Sequence, residues 1–308
     1  MQIVQFNNRS STSPAIVTIG NFDGMHLGHQ ALIEPVVRQA KAQHCLSALV
    51  TFDPHPEEVL KNKQIGKICT PEHRLHLMKQ AGLDLVHIIP FTQEFSQLPP
   101  ESFIEKFLIE RFKLAKLVVG YDFRFGKGRA GDCDLLKKMG QSHAFEVEVI
   151  QPFHIHQQTV SSTFIRALIY EGKFDDIEPY LGRRYSLYGT VMDGQKRGRT
   201  IGFPTANLRP QITLPLPFGV YVVAGEVQNK RLYGVTNIGV RPTFGVNEPT
   251  IETYLFDFDQ DIYGKPLEIW PLKQLRDEKK FESLDALKKQ IQQDIEAAKD
   301  YLKTTQPD

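Results

Sequence analysis

The sequence predicts two domains of different class: an α/β domain with a parallel, doubly wound sheet at 1–183, and an antiparallel β-barrel with a terminal helix at 184–308. Three observations predict this. Strand-like and helix-like stretches alternate through the first half, the texture after residue 184 turns to short β-rich runs separated by turns, and the chain from Ser283 carries one apolar stripe at helical spacing. A length of 308 residues with 41% hydrophobic content suits two cores, at a prior of roughly 150 residues per domain.

In chain order, strands are expected at 15–19, 47–52, 85–89, 116–119 and 145–150, with helices at 30–42, 72–80 and 101–111 between them. Leu32, Ile33, Val36, Val37 and Ala40 form the apolar face of the first helix, while Pro35 removes a backbone donor and predicts a kink or a late start. A doubly wound sheet binds ligands beyond the C-terminal strand ends, which puts the loops at 20–29 and 120–131 on one rim. Helical spacing returns at 163–170 and 174–181, and Gly182-Arg183-Arg184 marks the boundary. Strands are then expected at 186–192, 219–227, 231–238, 251–258 and 267–272. Leu284, Leu287, Ile291, Ile295, Ala298 and Leu302 share a face of the last helix, with Ser283 as N-cap, Asp285 in the first turn and packing on the barrel as its expected role.

A net charge of +1 and a pI near 7.7 point away from a nucleic-acid partner, which favours a concentrated basic face. Met1 to Ser10 shows no basic segment followed by an apolar run, and no membrane-spanning stretch is visible. Cys45, Cys69 and Cys133 form no paired spacing, as suits a reducing compartment. A cytoplasmic monomer or weak homo-oligomer is expected.

The most informative segment is Thr18-Ile19-Gly20-Asn21-Phe22-Asp23-Gly24-Met25-His26-Leu27-Gly28-His29. An apolar strand breaks into a glycine-rich turn whose backbone amides can approach a ligand, and the following helix start suits anionic oxygens. His26 and His29 then share a face of the first turn, as phosphate-binding groups, metal ligands or surface residues. The Walker pattern is absent and no GxGxxG follows this strand, so this is a different phosphate device. Asp122, Phe123, Arg124 and Phe125 combine aromatic faces for a flat conjugated ring with charge for phosphate, or form a solvated basic loop anchored in the core. Ser161, Ser162 and Thr163 place three hydroxyls at a helix start, with Arg166 one turn later. Further on, the glycines Gly189 and Gly198 precede Gly202-Phe203-Pro204-Thr205-Ala206-Asn207, where Thr205 and Asn207 offer two neutral oxygens on one side of an extended chain, suited to Mg²⁺ already held by nucleotide phosphates.

Together these segments resemble the bacterial bifunctional riboflavin kinase/FAD synthetase family. The turn at 20–29 is similar to the HxGH-bearing signature of nucleotidyltransferases, 120–126 to the family's Gly-x-Asp/Asn-Phe-x-Phe-Gly, 161–166 to Ser-Ser-Thr-x-Ile-Arg, and 202–207 to the Gly-Phe-Pro-Thr-Ala-Asn of riboflavin kinases. The blocks at 235–245 and 251–258 also match. Phe164 stands where many members carry a basic residue, and Tyr254 where many have His.

The resemblance implies a Rossmann-like nucleotidyltransferase domain that adenylylates FMN to FAD, and a riboflavin kinase barrel that makes FMN from riboflavin, with ATP as co-substrate and Mg²⁺ as cofactor. It implies that Gly20, Asn21, Phe22, Asp23, Gly24, Gly28, Ser161, Ser162, Thr163 and Arg166 bind nucleotide in the first domain, with His26 and His29 stabilising developing charge. Asp122, Phe123, Arg124 and Phe125 there, and Arg276 in the second domain, would meet the flavin. In the barrel Gly189, Gly198, Thr205 and Asn207 would bind nucleotide, Thr205 and Asn207 also the metal, and Glu252 would act as general base. An adenylyltransferase for another small phosphate and a flavin-responsive sensor are the competing readings.

Overall fold

The computed structural model describes residues 1–5, 13–193, 202–210, 212–228, 230–243 and 246–305. It divides into two compact units, one comprising Met1–Ile65 and Arg74–Ser162, the other Gly66–His73 and Thr163–Asp308.

The first unit is built on a six-stranded parallel sheet: β1 (Gln2–Gln5), β2 (Pro14–Ile19), β3 (Leu46–Asp53), β4 (Leu85–Pro90), β5 (Lys113–Gly120) and β6 (Glu146–Ile150), in the order β1-β4-β3-β2-β5-β6. Side chains alternate across it. Ala15, Val17, Ile19, Leu117 and Val119 pack with Phe103, Phe107 and Leu136 on one face, and Ile16, Leu49, Val86 and Val118 pack with Ile33, Val36, Ala40 and Met78 on the other. Strands covered on both faces are mostly apolar, which is why Pro14–Ile19 is hydrophobic apart from the buried Thr18.

The first helix, α1 (Leu27–Ala42), begins before Pro35 and continues through it, so the expected late start is corrected. His26 caps it at the N-terminus, and the ring of Pro35 is buried with Ile33, Val36 and Ala40, so core packing offsets the missing hydrogen bond. The helix expected at 101–111 is a short α-turn, Pro100–Phe103, running into a π-helical segment, Ile104–Ile109. Of the pattern at 174–181 only Glu178–Leu181 is helical.

The second unit carries a nearly closed antiparallel barrel: β9 (Leu187–Thr190), β10 (Ala206–Leu208), β11 (Gly219–Val227), β12 (Lys230–Thr243), β13 (Val246–Leu255) and β14 (Pro266–Asp277), in the order β10-β13-β12-β11-β14-β9; β7 and β8 form a small hairpin at His154–Ile155 and Gln158–Thr159 in the first unit. A bridge between Met192 and Asn207 brings the two barrel edges together. Residues of Gly66–His73 belong to this unit: the Glu72 carboxylate accepts from the backbone and hydroxyl of Thr190, and Thr70 Oγ1 donates to the Tyr188 carbonyl. The terminal helix, Leu284–Thr305, is capped by Ser283, whose Oγ accepts from Ala286 N. Ile291, Ile295, Ala298 and Leu302 pack against Val220, Val222, Val235 and Phe256, whereas Leu284, at the open end of the expected stripe, is 63% exposed.

Candidate active sites

The parallel sheet changes winding direction between β2 and β5, and ligand sites form beyond the strand ends at such a switch. Both glycine-containing loops emerge there, one after Ile19 and one after Gly120. In the first, Phe22, Gly24 and Met25 all have φ between 47 and 82°, which folds the turn tightly and puts the Phe22 ring in the core. The Asn21 carbonyl accepts from Thr51 Oγ1 and Arg74 Nη1, both at 3.2 Å, and the Asn21 amide lies 2.9 Å from His55 Nε2. Asp23 is 4% exposed, and its carbonyl accepts from Ser162 Oγ at 3.0 Å, joining the turn to the serine-rich segment.

His26 and His29 stack with ring centroids 3.6 Å apart and planes 14° apart. Nδ1 of His26 accepts from the His29 backbone at 3.2 Å, which leaves Nε2 as the protonated nitrogen of the neutral ring. A Cβ at Gly28 would press on the His26 ring and the Val160 carbonyl at 3.2–3.3 Å, so glycine lets the paired imidazoles sit close to the backbone. Neither α1 nor the helix α7, the seventh α-helix of the chain (Ser162–Tyr170) after Leu27–Ala42, Pro56–Lys61, Pro71–Gln80, Gln93–Ser96, Pro100–Phe103 and Cys133–His143, has an acidic residue in its first turn; Thr163 and Arg166 lie on α7. Pro56–Lys61, Pro71–Gln80, Cys133–His143 and the terminal helix all do. The positive ends of α1 and α7 are therefore left unneutralised by their own first turns.

In the second loop Asp122 lies beside Gly120, and Phe123 stacks on Phe125 at 5.3 Å. Phe125 is 8% exposed and packs on Phe103, so it backs Phe123 from the core. Arg124 pairs with Asp132 at 2.8 Å, and Asp132 in turn caps the helix at Cys133–His143 through Asp134 N and Leu135 N.

In the barrel, one register row crosses five strands: Asn207 pairs with Glu252, Glu252 with Asn237, Asn237 with Val220, and Val220 with Arg276. Directly paired residues point to the same face, and Val220 packs on that face with Ile295 and Ala298 of the terminal helix. Glu252 is half-buried between the buried Ile251 and Thr253, on the face where Tyr254 meets Phe203 edge-on at 5.7 Å. Nδ2 of Asn207 donates to the Thr205 carbonyl at 3.2 Å, turning Oδ1 the other way. A cleft of about 70 Å³ beside Thr205 and Asn207 is also lined by Pro204, Asp259, Asp261 and Tyr263.

Arg276 sits at the end of the row with its guanidinium engaged. Nε and Nη2 donate to the Asp294 carboxylate at 2.8–3.1 Å, Nη1 donates to the Asp277 carbonyl, and the Phe281 ring centroid lies 5.7 Å from the guanidinium carbon. Gln290 also donates to Asp294, and a Cβ at Gly239 would collide with the Glu278 carboxylate, so the loop after β14 lies close over β12. Gly189 lies on β9, and Gly198 falls outside the described residues. Sequence reasoning missed His55 and Arg74 around Asn21, and Asp294 behind Arg276. His55 follows β3, whose C-terminal end shares the ligand rim, so the strand-end rule was the signal available for it.

Residues 8–164 match the FAD synthetase family model and 181–302 the riboflavin kinase model. The bifunctional riboflavin kinase/FMN adenylyltransferase of Buchnera aphidicola subsp. Schizaphis graminum is 36% identical over 300 residues, 96% of each chain. The enzyme of the same name from Escherichia coli K12 is 35% identical over 317 aligned positions covering all of both chains. Among solved structures, a macrolide-efflux protein from Streptococcus pneumoniae superposes with a TM-score of 0.75 at 30% identity, covering 96% of this chain and 98% of that one. With both halves matched and whole-length relatives above 30% identity, this chain belongs to the bifunctional riboflavin kinase/FMN adenylyltransferase family.

Proposed function

We propose that the chain makes FAD in two steps at two separate sites: the barrel phosphorylates riboflavin, and the parallel-sheet domain adenylylates the FMN. The activity boundary is placed at 183/184, close to the start of the riboflavin kinase match at 181. The full-length sequence relatives carry both activities in their names, and among the described residues no helix is long and apolar enough to cross a membrane.

In the first domain an FMN phosphate oxygen attacks the α-phosphorus of ATP, the bond to the β-phosphate oxygen breaks, and pyrophosphate leaves. The nucleophile is already an anion, so the protein's task is alignment and charge stabilisation. His26 Nε2–H, His29, the amides of 20–28 and the open helix start at 27 supply donors, with Ser161 and Ser162 in the same unit; the family motif assigns nucleotide binding to Thr163 and Arg166 as well. Phe123, with Phe125 behind it, offers an aromatic face to the isoalloxazine, and Asp122 and Arg124 border it.

In the barrel a neutral alcohol must attack, which requires a base. Glu252 takes the proton of the riboflavin 5′-hydroxyl as its oxygen bonds to the γ-phosphorus and ADP departs. The register row carries this assignment, because it sets the base directly beside Asn207 and on the face that ends at Arg276. Arg276 shapes the flavin side through the loop it clasps. Thr205 Oγ1 and Asn207 Oδ1 are hard, neutral oxygen donors that fit a Mg²⁺ arriving with nucleotide phosphates. A cation held there would supply screening of the phosphate charge.

Incubating the protein with riboflavin, ATP and Mg²⁺ while following FMN, FAD, ADP and pyrophosphate tests the assignment. FMN must precede FAD, with ADP and pyrophosphate released in turn; flavin binding without ATP turnover contradicts it.

A further inference from the structure

Asn21 has one degree of freedom left undecided by its backbone. Its carbonyl is held by Thr51 Oγ1 and Arg74 Nη1, and its position in the turn by Gly20 N donating to the Val50 carbonyl at 3.1 Å. The structure sets Asn21 Nδ2 at 2.9 Å from His55 Nε2, but the two ends of a side-chain amide have the same shape, so the hydrogen-bond partners decide between them. The helix cap at His55 answers this. Nδ1 of His55 accepts the backbone N–H of Glu57 at 3.2 Å, and the His55 backbone donates to Glu58 Oε2 at 3.3 Å, locking the ring at the start of Pro56–Lys61. An imidazole whose Nδ1 is an acceptor carries its proton on Nε2. The atom of Asn21 facing Nε2 must therefore accept, which calls for the amide turned by 180° from its recorded orientation, with Oδ1 in place of Nδ2.

We infer that His55 is a positioning residue for adenylyl transfer: its Nε2–H donates to Asn21 Oδ1 and so turns the Asn21 amide N–H groups toward the nucleotide phosphates. The inference rests on the assignment of the turn at 20–29 to the adenylyltransferase site. It gives Asn21 a donor role, and it assigns to His55 an effect transmitted through Asn21 without contact to substrate. Two N–H donors added to the backbone amides of the turn suit an anion, where a carbonyl oxygen would repel it.

The test uses the whole protein, because riboflavin phosphorylation in the same chain reports whether a variant has folded. Selectively ¹⁵N-histidine-labelled protein, with the His55 signals assigned by their loss in His55→Gln, reads the tautomer directly in long-range ¹H–¹⁵N spectra. The expected result is a neutral ring protonated on Nε2; protonation on Nδ1 overturns the inference. In kinetics, His55→Leu should raise the KM for ATP in FMN adenylylation about tenfold, with a smaller effect on kcat and riboflavin phosphorylation unchanged. His55→Gln, which keeps a donor near the Nε2 position, should recover most of that loss. Wild-type kinetics in His55→Leu, or equal loss in the Leu and Gln variants, overturns it. His29→Ala serves as the separate control: if that variant adenylylates FMN normally, the assignment of the turn has failed, whatever the tautomer.

Discussion

Asp294 holds Arg276 with both carboxylate oxygens, at 2.8–3.1 Å, from a helix position only 6% exposed. The pair links the terminal helix to the last residue of the register row that contains Glu252 and Asn207. Removing Asp294 leaves the partly buried Arg276 guanidinium without its carboxylate, a loss of about 2 kcal/mol. Asp294→Ala should therefore destabilise the barrel unit by that amount in urea titrations, and raise the KM for riboflavin about tenfold as the loop over Gly239 loosens. FMN adenylylation should keep its wild-type rate, and an unchanged riboflavin KM in a folded variant would exclude the linkage.

Thr205→Val removes a hydroxyl oxygen at nearly constant volume. The kinase reaction should show an apparent KM for Mg²⁺-ATP raised about tenfold, the cost of roughly 1.4 kcal/mol of lost ligation. Titrating Mg²⁺ at fixed ATP in both reactions checks this, with adenylylation expected to follow the wild-type curve.

His87 gives the first unit an acid sensitivity unrelated to catalysis. It is 1% exposed on β4, and burial, with the Arg111 charge as a lesser cause, pushes its pKa from 6.5 down to about 4. The folded value lies below the unfolded one, so the unfolded chain binds the extra proton between these pH values. Stability from the neutral ring is complete above pH 6.5 and declines as pH falls toward 4. His87 alone should cost about 2 kcal/mol between pH 7 and pH 5. Urea titrations of the wild type and His87→Leu at both pH values should show the smaller acid loss in the variant.

The fold was largely legible because its patterns are long and periodic. The five strands expected in the sheet and the Ser283 cap all appear, along with a terminal stripe that packs from Ile291 onward. What was missed is short or decided by packing. Gln2–Gln5 and Ala206–Leu208 are too brief to show alternation, and Pro35 remains in a helix because its ring is buried. Of the candidate sites, residue types and spacings at 20–29 and 205–207 carry the proposed chemistry. Partners distant in sequence, such as His55 for Asn21 or Asp294 for Arg276, leave no local signal, since contact across 34 or 18 positions exists only after folding.

His26 and His29 should fail separately from the kinase. The rings lie 3.6 Å apart and one nitrogen of His26 is committed to the helix cap; on the proposal that the pair act as fixed donors, His29→Ala should lower FMN adenylylation by ~10²–10³-fold. Riboflavin phosphorylation measured on the same sample should remain at the wild-type rate.

The most direct measurement sets that variant beside Glu252→Gln, each given riboflavin, ATP and Mg²⁺ and, separately, supplied FMN. Glu252→Gln should lose ~10²–10⁴-fold in FMN formation while still converting supplied FMN to FAD, and His29→Ala should accumulate FMN without FAD. Parallel loss of both reactions in either folded variant would contradict two separate sites.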